Sequence, residues 1–311
     1  MVPFERRIVV GTLPLFIGHT PMRSLLFPVL CFVLMSPLSA NPDVPAGLAG
    51  KSDTKSETIP FDAARWTLVW ADEFDRPGTP DPAVWTPEVG YLRNGEKQYY
   101  TQGRLENARV ENGLLVIEAR KDNWENKPVT SASLTTQGKR PLLYGRIAVR
   151  AKIPTGRGTW PAIWTLGENI PKAGWPACGE IDILENVGYD PKKIHGNIHC
   201  KTYNHMKRTG KGRSITAEAP WSQFHEYAVE WYEDRIEFFF DDTRYFVFRK
   251  ESDDPAVWPF AQPQYLIINL AMGGGWGGQK GIDDSLYPHR FEIDWVRYYK
   301  LSTATAPDIK K

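Results

Sequence analysis

The sequence predicts an all-β protein, a jelly-roll β-sandwich of two curved antiparallel sheets whose concave face forms a cleft. From about residue 61 onward, short segments rich in β-branched and aromatic residues follow one another. No long amphipathic helical pattern appears, and no repeat of about 20–50 residues. The 12 Trp, 13 Tyr and 14 Phe residues suit a packed sandwich core, an aromatic-lined cleft, or both.

Each predicted strand is short and rich in β-branched or aromatic residues. In chain order they are Trp66–Trp70, Leu114–Ala119, Gly145–Ile153, Ile194–Cys200, Phe224–Trp231, Arg235–Phe240, Tyr265–Met272 and Phe291–Tyr299. Apolar and charged residues alternate in the last of them, which is typical of a half-buried strand. The pair Asp241-Asp242 between two aromatic runs predicts a tight hairpin.

The N-terminal 40 residues have the pattern of a secretory signal: a basic start at Met22, an apolar run over Leu25–Met35 and a small residue at Ala40. We expect Met22 to be the initiator and cleavage near Ala40 to release a secreted or periplasmic protein. An uncleaved anchor is the alternative. The run is shorter than the ~20 apolar residues of a spanning helix and contains Pro28, so the mature form has no stable membrane span.

The remaining chain is predicted to be a linker over 41–60, one domain over 61–300 and a polar tail over 301–311. A formal net charge of +1 and the lack of a basic stripe exclude a nucleic-acid partner, and we expect a monomer. After cleavage only Cys178 and Cys200 remain. Their side chains are expected on opposite faces of neighbouring strands, which favours thiols over a disulfide.

The segment 180–185 places three carboxylates in a stretch that otherwise resembles a buried strand. Side chains alternate between the faces of a strand, so Glu180 and Asp182 share one face, and Glu185 would lie on the other. One extra residue, a β-bulge near Ile183-Leu184, would return Glu185 to the face of the other two. Bulges are enriched beside active sites, so we predict one here. Surface acids on an exposed edge are the alternative.

Three carboxylates on one face suit the cleavage of a glycosidic bond, which needs two carboxyl groups facing each other across a sugar. Like charges this close raise the pKa of at least one carboxyl group. That acid can protonate the leaving oxygen while its neighbour attacks the anomeric carbon. A separation of ~5–5.5 Å between the two groups would indicate a covalent intermediate and retention of configuration.

Aromatic residues surround this segment in the sequence. Trp160 and Trp164 are evenly spaced and would share a face of one strand, Trp175 precedes the acidic run, and Trp276 lies in a glycine-rich loop. Indole faces stack on the apolar faces of sugar rings, so these residues are candidate substrate contacts. For Trp160 and Trp164, a place in the core is an equal alternative.

Three polar side chains, Asn94, Glu96 and Gln98, are also evenly spaced and could bond sugar hydroxyl groups. His199 has the spacing to reach the same cleft. A histidine buried in the core is the alternative for that position.

Together, these residues and motifs resemble those of glycoside hydrolase family 16, in particular its laminarinase-like endo-1,3-β-glucanases. The acidic run with two residues between Asp182 and Glu185 resembles the bulged signature of that branch. Further matches are Asp72–Asp75, Asn94–Thr101, Tyr144–Arg146, Trp160–Trp164, His195–His199, Val229–Trp231, Trp276–Gly278 and Asp294–Tyr298. The resemblance extends over roughly 61–300.

The resemblance implies that Glu180 is the nucleophile, that Glu185 is the general acid/base, and that Asp182 orients Glu180 and shares its proton. It also implies that His199 touches the sugar or Asp182. No cofactor is expected for catalysis. A structural calcium ion on the convex face is implied at Glu73, Asp294 and the carbonyl of Gly113.

The expected substrate is a β-1,3-glucan such as laminarin, cleaved within the chain with retention. Related alternatives are a mixed-linkage β-1,3/1,4-glucan and a red-algal galactan. A non-catalytic glucan-recognition module is the alternative from another class, and the presence of both Glu180 and Glu185 counts against it.

Overall fold

Extended backbone dominates the chain, as its short apolar and aromatic segments predict. The structure, a computed structural model, describes residues 55–302. Its strands are β1 (Glu57–Thr58), β2 (Trp66–Asp72), β3 (Thr86–Pro87), β4 (Tyr99–Tyr100), β5 (Ala108–Glu111), β6 (Leu114–Ala119), β7 (Thr130–Ser131), β8 (Ser133–Thr135), β9 (Gly145–Lys152), β10 (Thr159–Gly167), β11 (Glu180–Glu185), β12 (Lys193–His199), β13 (Lys211–Thr216), β14 (His225–Trp231), β15 (Arg235–Phe240), β16 (Thr243–Arg249), β17 (Gln264–Met272) and β18 (His289–Leu301).

Within residues 55–302, helical structure is confined to single turns. The α-helices are α1 (Ile170–Ala173) and α2 (Gly274–Gly277), and the 3₁₀ turns are Ala63–Arg65, His205–Lys207 and Asp284–Leu286. Within residues 55–302, neither helix reaches the length or the hydrophobicity that a membrane-spanning segment requires.

Two antiparallel sheets make up the sandwich. One has nine strands in the order β1-β16-β15-β14-β9-β18-β6-β5, with β2 also paired to β18. The other has seven strands in the order β13-β12-β11-β10-β17-β8-β3. A small parallel pair joins β4 and β7. The acidic strand β11 is therefore an inner strand, hydrogen-bonded to β10 on one side and β12 on the other.

The core lies between the sheets and follows from the alternation of apolar residues along each strand. Ile163, Ile181 and Ile268 from the seven-stranded sheet and Val149 and Phe291 from the nine-stranded sheet are all fully buried in it. Burying a side chain of this size contributes about 1.5–3 kcal/mol. Because one face of β10, β11 and β17 is committed to this core, their other side chains face the cleft on the opposite side of the sheet.

All eight strands predicted from composition are present, and the all-β jelly-roll prediction is confirmed. Asp241-Asp242 forms the turn between β15 and β16, as predicted. Within the predicted linker 41–60, Glu57 and Thr58 pair with Arg244 and Thr243, so ordered structure begins before residue 61. The predicted signal, its cleavage near Ala40 and most of the tail lie outside the described residues.

Both cysteines in the described range are free and fully buried, as predicted. The pKa of the Cys178 thiol is raised to about 11, chiefly by burial. The thiolate is the reactive form of cysteine. A buried thiol with a raised pKa is therefore not suited to act as a nucleophile.

Candidate active site

The predicted β-bulge is present in β11. Asp182 pairs with Asn197 of β12, and the next pair joins Glu185 to His195. The chain advances three residues along β11 between these pairs and only two along β12, so β11 contains one extra residue. The pairing with β10 shifts at the same place. Ile163 lies opposite Leu184, and the next residue, Trp164, lies opposite Asp182.

The bulge decides which way the second glutamate points. Ile183 and Leu184 are consecutive, yet both are fully buried in the sandwich core. A regular strand could bury only one of them on that side. The extra residue restores Glu185 to the face that carries Glu180 and Asp182, so the three carboxylates line one cleft, as predicted.

A glycine makes the turn into this strand possible. Gly179, directly before Glu180, has a φ of +81°, a conformation that favours glycine. A Cβ atom at this position would come within 2.9 Å of Pro259. The acidic strand can therefore begin close to the segment that precedes β17.

Neutral donors hold both glutamates in place. The Trp175 indole N–H donates to Oε2 of Glu180 over 2.7 Å. Glu185 accepts two bonds, from the Trp160 indole at 3.1 Å and from the Asn197 amide at 2.9 Å. Trp160 and Trp175, which were predicted as sugar contacts, therefore orient the carboxylates.

Asp182 and His199 fill the space beside Glu180. The His199 Nε2 atom lies 3.4 Å from Oδ2 of Asp182 and 3.7 Å from Oε1 of Glu180. Only 4% of the Asp182 side chain is exposed, compared with 13% for Glu180. The sequence prediction that His199 reaches the cleft agrees with this position.

The carboxyl groups differ in their preference for a proton. Burial, and then the charge of Glu180, raises the pKa of Asp182 well above its usual range. Burial, followed by the charge of Asp182, raises the pKa of Glu185 to about 8. Near neutral pH Glu185 therefore favours the neutral acid, and the shift of Asp182 is in the same direction. A protonated Glu185 can supply a proton to a leaving group, and a neutral Asp182 can donate a hydrogen bond to Glu180.

Trp164 is held in a hydrogen-bonded network on the cleft side of the sheet. Its indole N–H donates to Asn269 at 2.7 Å, and the Asn269 amide donates to the Tyr100 hydroxyl at 3.0 Å. The Arg93 guanidinium lies 4.9 Å from the centre of the Trp164 ring. Trp164 also belongs to a buried apolar cluster, so it supports the cleft floor, and its contact with substrate stays a prediction.

Asn94, Glu96 and Trp276, which were predicted as substrate contacts, lie together at one end of the cleft. The carbonyl of Asn94 accepts from the backbone of Gly275, and Glu96 forms a bridge with Gly273. Trp276 follows in the same turn, and its ring packs edge-on against Trp160 at 5.6 Å. Gln98 differs from the prediction. It is buried and bonds Glu96 and the backbone of Met272, so it supports the loop and does not face the cleft.

Several residues of the site were missed by the sequence analysis. Asn197 shares the alternation of His199 along β12, which was an available signal. Asn269 on β17 and Arg93 had no local signal, because their roles depend on pairing between distant segments. His205 lies in a 3₁₀ turn, with its ring 5.3 Å from that of His199.

The predicted calcium ligands are engaged elsewhere. Both carboxylate oxygens of Glu73 accept bonds from Arg297, at 2.8 and 2.9 Å. Asp294 is bonded to Arg150. A guanidinium group neutralises each carboxylate, so in this arrangement the side chains do not fit a calcium ion.

Comparison with known proteins agrees with this geometry. The model of the family "Glycosyl hydrolases family 16" matches residues 95–297. A β-glucanase of Rhodothermus marinus is 48% identical over 247 residues, which cover 76% of this chain and 86% of the relative.

Two solved structures have similar folds. The Rhodothermus marinus laminarinase has a TM-score of 0.75 and 47% identity, over 78% of this chain and all of that one. SCLam, described as a non-specific endo-β-1,3(4)-glucanase, has a TM-score of 0.75 and 44% identity, over 79% of this chain and 95% of that one. The family resemblance of the sequence is confirmed.

Proposed function

This chain belongs to glycosyl hydrolase family 16, and from that premise we propose that it is an endo-β-1,3-glucanase acting with retention of configuration. The observation that carries the proposal is the bulge that brings Glu180 and Glu185 onto one face. Separate indole groups orient the two carboxylates. This arrangement suits a nucleophile and a separate proton donor.

In the first step, the Glu180 carboxylate attacks the anomeric carbon. The bond from this carbon to the leaving oxygen breaks, its electron pair goes to that oxygen, and Glu185 supplies the proton. The raised pKa of Glu185 favours the protonated form that this step needs. The product is a glycosyl ester of Glu180.

In the second step, the ionised Glu185 removes a proton from water, which attacks the same carbon. The ester bond to Glu180 breaks and its carboxylate is restored. Two inversions give net retention. Asp182 acts as a positioning residue, because its neutral form donates a hydrogen bond to Glu180. This bond weakens as charge leaves the Glu180 carboxylate, which is then a poorer acceptor.

The substrate assignment rests on the aromatic cleft and on the relatives. Trp160, Trp175 and Trp276 offer ring faces beside the carboxylates, with Asn94 and Glu96 at one end of the cleft. Apolar ring faces suit the C–H faces of glucose rings. We propose β-1,3-glucan as the main substrate. A mixed-linkage β-1,3/1,4-glucan is the second candidate, which the likeness to SCLam favours.

Product analysis on three polymers tests this proposal. Purified protein is incubated with laminarin, barley mixed-linkage glucan and agarose, and the products are separated by size. We expect laminarin to yield oligosaccharides of several lengths early in the reaction, with slower release from mixed-linkage glucan and none from agarose. Binding of laminarin without hydrolysis would instead indicate a recognition module.

The pH dependence of kcat/KM should report the proton on Glu185. Its pKa is raised to about 8, so the acid form is present below this pH and is lost as the pH rises through it. We expect kcat/KM for laminarin to fall about tenfold per pH unit above about pH 8. The measurement is initial rates from pH 5 to 10 over the range where the protein stays folded. A constant kcat/KM from pH 7 to 10 would contradict the role of Glu185.

Substituting Trp175→Phe should separate its hydrogen bond from its ring. The variant loses the N–H donor to Glu180 and keeps an aromatic face. Hydrogen bonds to charged groups contribute about 1.5–3 kcal/mol, so we expect kcat to fall about 10- to 100-fold, with a smaller change in KM. Trp221→Phe, the same change in a residue packed against the sandwich core, is the matched control. Equal kcat values for the two variants would count against the contact.

We also propose export of the mature protein after cleavage near Ala40, from the sequence pattern alone. N-terminal sequencing of protein recovered outside the cytoplasm checks the cleavage site. Catalysis needs no cofactor. A monomeric state and a structural calcium ion stay predictions, and calcium at Glu73 and Asp294 would have to displace their arginine partners.

A further inference from the structure

Three potential metal-ligand atoms converge in the cleft. They belong to the Glu180 carboxylate, the Asp182 carboxylate and the His199 imidazole, and all lie within 4.8 Å of one another. The His199 Nε2 atom is 3.4 Å from Asp182 and 3.7 Å from Glu180. Ligands at about 2.0–2.2 Å from a shared ion in tetrahedral geometry are separated by roughly these distances.

A second observation distinguishes this cluster from an ordinary group of acids. Oδ2 of Asp182 is buried and has no hydrogen-bond partner among the described residues. It is the same atom that approaches His199. A buried carboxyl oxygen without a partner is costly, and a cation that displaces the Asp182 proton would be coordinated by this oxygen.

We propose that Glu180, Asp182 and His199 form a binding site for a divalent transition-metal ion of the zinc type. One imidazole nitrogen and two carboxylate oxygens are suitable ligands for Zn²⁺, and water can complete the shell. Ca²⁺ and Mg²⁺ prefer six or more oxygen ligands, which this cluster does not supply. An ion here engages the carboxylate that attacks the sugar, so it acts as a reversible inhibitor.

The inhibitory consequence rests on the proposed function, whereas the binding does not. Titration calorimetry with ZnCl₂ on the full chain therefore measures the site directly, without substrate. We expect one Zn²⁺ site in the wild type that is not occupied by Ca²⁺ or Mg²⁺ at equal concentration. In His199→Gln, this site should be weakened by about tenfold or more, because the only nitrogen ligand is lost.

His195→Gln is the matched control, because His195 lies on the same strand as His199 and packs against Trp276, outside the cluster. It should retain the wild-type affinity for Zn²⁺. If His199→Gln does not fold, the nearly isosteric Asp182→Asn replaces it, with the same expected loss. Absence of Zn²⁺ binding to the wild type up to millimolar concentration, or unchanged affinity in the folded ligand variant, would overturn the proposal.

The kinetic test is then made with laminarin. We expect Zn²⁺ to raise the apparent KM, with rates restored by a chelator. Inhibition that leaves the apparent KM unchanged, with Zn²⁺ bound at a different place, would contradict the assignment. If Zn²⁺ binds through His199 but the wild type does not hydrolyse laminarin, the metal site stands and the proposed function fails.

Discussion

Replacing Glu180 with Gln is expected to lower kcat on laminarin by on the order of 10⁴-fold or more, because the amide cannot form the glycosyl ester. The substitution keeps the shape of the side chain and leaves an oxygen that can accept the Trp175 indole N–H. Binding of the polymer should therefore change little. Initial rates by reducing-end assay and affinity by calorimetry measure the two effects separately.

A surface substitution serves as the control for Glu180→Gln. Glu218 is highly exposed and is paired only with Lys192 in the described structure, so Glu218→Gln should retain the wild-type rate. A folded Glu180→Gln variant with a rate near that of the wild type would show that another group attacks the sugar. Equal loss of rate and of laminarin binding would instead indicate that the cleft had been disrupted.

Replacing Glu185 with Gln is expected to lower kcat on laminarin by about 10²- to 10⁴-fold, since the leaving oxygen then departs without a proton. The Trp160 and Asn197 donors remain, and the single amide oxygen of the new side chain can accept from one of them in the present geometry. The effect should depend on the leaving group. An aryl β-laminaribioside with an acidic phenol needs little protonation, so its first step should remain fast.

A burst of phenol followed by slow turnover would therefore identify Glu185→Gln as an acid/base variant. The aryl substrate should not rescue Glu180→Gln, because the missing group there is the nucleophile. The decisive comparison is the rate of phenol release from both variants. Similar losses on laminarin and on the aryl substrate would contradict the role of Glu185 as proton donor.

Much of this site could be predicted from local sequence. Alternation along β11 assigned Glu180 and Asp182 to one face, and the cost of leaving carboxylates among isoleucines suggested a bulge before Glu185. The strand pairings confirm it. The even spacing of Trp160 and Trp164 correctly placed both on the cleft side of β10, although Trp164 is largely buried.

Features that depend on pairing between distant segments could not be predicted in this way. Asn197 contacts Glu185 because β12 lies beside β11 in one register, and sequence alone does not fix that register. Asn269 accepts a hydrogen bond from Trp164, although the two residues are 105 positions apart in the chain. Gln98 alternates with Glu96, yet the loop turns it inward to bond the backbone of Met272.

The calcium site was implied by the family resemblance and stays a prediction. In the described structure, Glu73 and Asp294 are bonded to the guanidinium groups of Arg297 and Arg150. A list of acidic residues does not reveal which basic side chains the fold brings to them. To identify ion pairs between strands, one must know how the strands pair in three dimensions.

Covalent trapping tests the central claim most directly, namely that Glu180 attacks the sugar while Glu185 faces it from the same cleft. The wild type is treated with a 2-deoxy-2-fluoro glucan glycoside carrying a good leaving group, digested, and analysed by peptide mass spectrometry. The account predicts one added glycosyl unit, attached to Glu180. Attachment to Glu185 or Asp182, or inactivation with no covalent sugar, would contradict it.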